Sequence, residues 1–194
     1  MIDFSIRIIS EIGHILGNVV RLAWYNGTCF MWYRSLPLST TIYGKLRLLH
    51  RPCRLSMGPR GRLGDGVYLA TSLRSTIHIG SNVTINVGCV LVAVDSISIG
   101  DNTAIAEYVS IRDQEHLHCE TTGVRDMGFH VDKVTIGSNV WIGRGVYIGP
   151  GASIGDSSIV AANSVVRGHF PPGVLLAGAP ATIKKYLYEV SEDG

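Results

Sequence analysis

The sequence predicts a mainly β protein: a triangular prism of stacked short strands, preceded by an amphipathic helix and closed by a C-terminal capping helix. From Ile136 the chain divides into the hexads IGSNVW, IGRGVY, IGPGAS, IGDSSI and VAANSV. Each opens with an aliphatic residue (Ile136, Ile142, Ile148, Ile154, Val160), continues with Gly or Ala, and has a small or β-branched residue fifth. A period of six is too long for one helical turn and too short for a hairpin; it fits a two-residue strand and a corner. An apolar content of 46% with 16% charged residues excludes disorder.

Residues 1–60 are expected to form a helical and irregular segment. Ile8, Ile12, Ile15, Leu16, Val19 and Ala23 recur at helical spacing, with Arg7, Glu11, His14, Asn18 and Arg21 between them. The acids and Arg7 break the apolar stretch that a secretory signal needs, and no uncharged run is long enough to span a membrane. Such a helix docks on its own domain or on a subunit. The alternative is peripheral contact with a membrane surface, aided by Trp24, Tyr25, Phe30, Trp32 and Tyr33.

Residues 61–168 form the prism. The rhythm starts at Leu63 (LGDGVY) and recurs at Ile79, Ile85 and Leu91, then at Ile99, Ile105 and Ile111. Twenty residues separate Ile79 from Ile99, which predicts a two-residue bulge at one corner. Gly and Asn supply the unusual corner dihedrals. Three sides close a coil of about eighteen residues, and coils stack at about 4.8 Å. Residues 169–194 are the cap, in which Phe170–Gly173 ends the prism and Tyr186–Val190 is expected to be helical.

A formal net charge of +2 leaves no polyanion footprint, so no nucleic-acid partner is expected. Cys29, Cys53, Cys89 and Cys119 lack CxxC spacing and suit reduced thiols in a cytoplasmic protein. A prism filled with isoleucine has no inner pocket, so chemistry must hang outside it. The polar interruption from Arg112 to Lys133 is therefore the functional candidate.

These hexads resemble those of the hexapeptide-repeat acyltransferases, in particular the galactoside/maltose and polysaccharide O-acetyltransferases. That resemblance implies a left-handed parallel β-helix, whereas the usual crossover rule would give the opposite hand. It also implies a homotrimer with sites in the grooves between prisms, acetyl-CoA as co-substrate, no metal, and a sugar or glycan acceptor. Aligned on SIGDN, the family's catalytic histidine falls on His116 and an active-site asparagine on Asn86. A substrate-binding acid falls on Val94, with Asp95 beside it, which leaves the acceptor open.

His118 and His130 compete with His116 as general base, and Asp113 or Glu115 is a candidate to orient the imidazole. Asp95, Asp113, Glu115 and His118 are the candidate acceptor residues. NVWIG places Trp141 beside the groove, and the family's coenzyme A contacts fall on Gly143, Arg144, Ala161, Ala162 and Arg167. GAPATIKK matches the capping segment, with Lys184 and Lys185 as phosphate partners. The expected reaction is O-acetylation of a sugar, polysaccharide repeat unit or glycolipid, in the cytoplasm or at the inner membrane face. The alternatives are an N- or serine acetyltransferase, a carbonic-anhydrase-like metal enzyme and a non-enzymatic scaffold.

Overall fold

Stacking the aliphatic residues that open the hexads takes them out of water, and the chain winds to achieve this. The structure is a computed structural model that describes residues 2–28, 36–49, 54–121, 123–124 and 127–188, with helix side chains from residue 11. Three parallel sheets enclose one core. Face one holds Thr41–Ile42, Arg62–Leu63, Thr84–Ile85, Ala104–Ile105, Trp141–Ile142, Ile159–Val160 and Val174–Gly178. Face two holds Arg47–Leu48, Tyr68–Thr71, Val90–Ala93, Ser110–Arg112, Tyr147–Ile148 and Val165–Val166. Face three holds Leu55–Met57, Thr76–Ile79, Ser96–Ile99, Val134–Ile136, Ser153–Ile154 and His169–Phe170.

Register aligns the hexad leaders into ladders. On face one Ile42, Leu63, Ile85, Ile105, Ile142 and Val160 follow one another, all buried. Each such side chain contributes roughly 1.5–3 kcal/mol by leaving water. With strands of two to five residues, these ladders rather than strand length hold the coils together.

Glycine serves this winding in two ways. At the second hexad position it makes room: a Cβ on Gly143 would lie 2.6 Å from the backbone nitrogen of Ala162 in the next coil. The left-handed dihedrals fall two residues later, at Asn139 and Gly145, with φ of 58° and 67°.

Three expectations change. The prism begins one coil early, because Thr41–Ile42 pairs with Arg62–Leu63 and Arg47–Leu48 with Tyr68–Thr71. That coil escaped notice because no glycine follows Ile42 or Leu48. The C-terminal capping helix is replaced by a strand, Ala181–Tyr186, antiparallel to Val174–Gly178 on face one. Ala181 and Ile183 turn inward while Thr182 and Lys184 stay exposed, a period of two that suits the open sheet edge rather than a helix. Val190, in the span expected to be helical, lies outside the described residues.

The third change concerns the N-terminal helix, Ile2–Thr28, which packs on the open end of the prism. Leu22 and Tyr25 are buried there, and the Asn18 amide bridges Thr40 O and Ile42 N at 2.9 and 2.8 Å. The apolar face marked by Ile12, Ile15, Leu16 and Val19 stays in solvent. Phe30, Trp32, Tyr33, Cys29 and Cys53 lie outside the described residues, as do the Arg7 and Ile8 side chains. The bulge is where spacing required it: the corner between Val90–Ala93 and Ser96–Ile99 is widened.

Candidate active site

The polar interruption leaves the prism at the corner between faces two and three, in the fourth coil. It is not an open loop. Gln114–His116 pairs antiparallel with Phe129–Val131, and Asp132 N–H donates to Asp113 O at 2.9 Å to close the neck. Asp113 is fully buried, and its carboxylate accepts from Val94 N–H at 2.8 and 3.0 Å and from Asp95 N–H at 2.7 Å. It thereby ties the hairpin to the widened corner of the coil before it. Its oxygens are engaged by backbone, so Asp113 serves as an anchor rather than as the orienting acid or acceptor ligand expected of it. Asp95 is exposed beside this anchor.

Glu115 secures the hairpin in the other direction. Arg167, in the last coil, pairs with it through two nitrogens, one bond being 2.8 Å, and Tyr147 Oη donates to it at 3.4 Å. The Arg167 guanidinium also sits 5.6 Å from the centre of the Tyr147 ring. Glu115 therefore holds Arg167 rather than orienting His116. The Arg167 hydrogen bonds hold the Glu115 carboxyl below its ordinary value, while burial and the Glu115 charge push the Tyr147 phenol up.

Next along the strand, His116 is exposed and stacks on Phe129, ring centres 4.4 Å apart and tilted by 48°. Adjacent residues of an extended ribbon project to opposite sides, so the tether to Arg167 leaves the His116 imidazole on the other side of the ribbon. His118 and His130 are also exposed, and His130 pairs across the ribbon with Glu115.

A second group lies on a different edge. Asn86, Ala106, Gly143 and Ala161 stack in one column at the corner between faces one and two, and each donates its backbone N–H to a carbonyl of the next coil at 2.8–3.0 Å. Arg144 and Ala162 occupy the next column, and Trp141 is exposed beside them on face one. Lys184 and Lys185 are exposed on the final strand. So Asn86, Trp141, Gly143, Arg144, Ala161 and Ala162 share one edge. Asp95, Asp113, Glu115, His116, His118 and Arg167 share another, and the strands of face two lie between them within one chain.

Four residues of these edges escaped sequence reading. Arg144 pairs with Glu107 at 3.4 Å and lies 5.7 Å from the centre of the Tyr108 ring. Tyr108 adopts φ of 59°, where its neighbours in the column are Gly88, Gly145 and Asn163. A bulky residue at the glycine or asparagine position of a hexad was a visible signal. Tyr147 and Phe129 gave none, because their roles depend on contacts across the hairpin.

Burial raises the Cys89 thiol to about 11. At that value it is not a nucleophile at neutral pH. Cys119 lies 3.2 Å from the Thr121 hydroxyl. Among the described residues, no group of three or more His, Cys, Asp or Glu side chains is placed to hold a metal ion.

Residues 133–168 match the family model described as bacterial transferase hexapeptide (six repeats). The chain is 31% identical over 188 residues to the Escherichia coli K12 protein named as the lipopolysaccharide biosynthesis O-acetyl transferase WbbJ, covering 88% of this chain and 96% of that one. A galactoside acetyltransferase solved in complex with coenzyme A is 31% identical, with a TM-score of 0.56 over 77% of this chain and 66% of that one. A Vibrio cholerae hexapeptide-repeat acetyltransferase, VCA0836, solved with acetyl-CoA, superimposes with a TM-score of 0.58 over 92% of this chain and 90% of that one, at 24% identity. The repeat, the coiled prism and the likeness to WbbJ agree: the chain belongs to the hexapeptide-repeat transferases and is an acetyltransferase of that family.

Proposed function

We propose that the protein transfers an acetyl group from acetyl-CoA to a hydroxyl of a sugar, a polysaccharide repeat unit or a glycolipid. The observation that carries this is the fixed, exposed His116, held on a hairpin whose stem is tied to the prism at Asp113 and Glu115. Acyl transfer to an alcohol needs such a base, because the hydroxyl must lose its proton as its oxygen attacks. The likeness to WbbJ supports a glycan acceptor, and the complexes of the two solved relatives support a coenzyme A thioester as donor.

In this reading the His116 imidazole takes the hydroxyl proton, and the acceptor oxygen bonds to the thioester carbonyl carbon. The tetrahedral intermediate collapses as the C–S bond breaks. The coenzyme A sulfur leaves with the bonding pair and recovers the proton from His116. The small residues Gly143, Ala161 and Ala162 let the pantetheine arm approach backbone amides, while Arg144, Lys184 and Lys185 face its phosphates. Trp141 walls the groove. Arg167, expected among these cations, is engaged by Glu115 and keeps the hairpin in place.

His116 and Asn86 stand on different edges of one prism, so a second copy must supply one of them. A homotrimer, with each groove walled by two chains, meets that need and lets Asn86 donate to the acceptor or to the oxyanion. Asp95 and His118 then line the acceptor side. Transfer takes place in the cytoplasm, where acetyl-CoA is made.

Radiolabelled acetyl-CoA offered with a panel of sugars, amino sugars and glycan fragments tests the reading. Ester formation on a hydroxyl is expected, and transfer confined to amines would overturn it. His116→Ala should lower turnover by about 10²–10⁴-fold with acetyl-CoA affinity unchanged by calorimetry; full turnover would move the base to His118 or His130.

A further inference from the structure

Among the described residues, a large apolar surface on the N-terminal helix stays exposed. Where Asn18, Leu22 and Tyr25 hold the N-terminal helix to the prism, Ile12, Ile15, Leu16, Val19, Val20 and Trp24 stand 50–67% exposed. The first five fall at i, i+3, i+4, i+7 and i+8, so they form one continuous face, and His14 is the only titratable residue between Ile12 and Val20. The face continues across a recess of about 440 Å³ onto Leu38 and Tyr43, themselves exposed. Arg21 lines that recess, and its Nε is buried without a hydrogen-bond partner among the described residues.

Charge is divided along the chain in the same sense. Residues 1–79 carry ten Lys and Arg against three Asp and Glu, a net of +7, whereas residues 80–194 carry seven against twelve, a net of −5. Lys45, Arg47, Arg60, Arg62 and Arg74 are exposed on the two coils next to the helix and, spread over faces and corners, ring that end. A second copy meeting this end head-on would bring an equally cationic surface against it. An anionic bilayer satisfies both features, taking the apolar stripe at its headgroup boundary and the cations at its surface.

We propose that the N-terminal end of the molecule docks on an anionic lipid bilayer, with the helix lying in the interface plane. The helix has no window long and apolar enough to cross a membrane, and the binding is peripheral. Trp24 stands at one end of the stripe, where an amphipathic ring suits the interface.

Co-sedimentation of the full chain with phosphatidylcholine vesicles, with and without phosphatidylglycerol, tests this. Binding is expected to the anionic vesicles, to weaken as salt shortens the Debye length from about 8 Å toward 3 Å, and to be far weaker on neutral vesicles. The double variant Leu16→Glu, Val20→Glu should lose at least about tenfold in partitioning while keeping its circular dichroism and acetyl transfer, since both positions are exposed. Wild-type protein left in the supernatant with anionic vesicles at low salt would overturn the proposal. Equal binding to neutral vesicles would overturn the role of charge. If the variant instead changed oligomeric state on gel filtration and wild type bound no vesicles, the stripe would belong to a second copy. Vesicle binding is measured without acyl transfer, so its failure would leave the acetyltransferase reading intact.

Discussion

The two edges that flank face two are built on opposite terms. Between faces one and two every coil turns within the hexad period, so the edge is a column of small residues presenting amides at a fixed pitch. Between faces two and three the corner departs from that period in the second coil (Leu69 to Ile79) and the third (Leu91 to Ile99), and it opens into a hairpin in the fourth. A repeated corner supplies backbone donors and a close approach, and its larger side chains, Glu107, Tyr108 and Arg144, meet one another on its outside. The histidine-bearing hairpin sits instead at the corner that departs from the repeat, where Asp113, Glu115 and Arg167 fix what the hexads do not.

That contrast can be broken at either edge. The largest effect is expected at the irregular one. Asp113→Ala strands the amides of Val94 and Asp95 and should cost about 3 kcal/mol in denaturant unfolding, with loss of the hairpin's protection from protease. At the regular edge, Gly143→Ala drives a Cβ to 2.6 Å from the backbone nitrogen of Ala162, where nothing flexible can give way. It should cost about 2 kcal/mol and weaken acetyl-CoA binding by calorimetry.

Tyr108 sharpens the comparison, because it is the bulky residue in the column otherwise kept small. Tyr108→Asn should raise stability by about 1 kcal/mol, since asparagine accepts φ near 59° with less strain, while removing the ring beneath Arg144. A fall in acetyl-CoA affinity with that gain would mark Tyr108 as strain retained for binding.

The smallest effect belongs to the tether. Glu115 and Arg167 remain 41% and 46% exposed, so Glu115→Gln should cost under about 1 kcal/mol. Its pH dependence has a definite sign. The folded carboxyl is held below its ordinary 4.5, so the tether is complete above that value and is lost as pH falls through the folded one. The difference in melting temperature between wild type and Glu115→Gln should stay constant from about pH 6 to 8 and vanish in acid.

Much of this was legible residue by residue. Five hexads in sequence give the period, the period gives a corner every six residues, and the two extra residues before Ile99 mark the corner that widens. His116, Asn86 and Trp141 were singled out by the family resemblance of the motifs around them, and all three are exposed. The first coil was not legible, because Ile42 and Leu48 lack the glycine that makes a hexad visible. The final strand was not either: ATIKKY carries a short alternation, and only the open edge of face one turns that into a strand. The Arg167–Glu115 contact was not legible either, because it spans fifty-two residues.

The sequence by itself determined the prism, since a six-residue alternation of aliphatic leader and small corner has one economical way to bury its leaders. It also marked residues 112–133 as the segment that leaves the hexad pattern and carries polar side chains the hexads lack. Only the tertiary structure decided what that segment is: a hairpin pinned at Asp113 and Glu115, with His116 on the opposite side of the ribbon from its tether. It likewise decided that the N-terminal helix docks through Asn18, Leu22 and Tyr25 and leaves its strongest apolar stripe outside. The physical reason is common to both. Periodicity reports which residues must leave water together, whereas long-range pairings depend on which surfaces the wound coils happen to bring side by side.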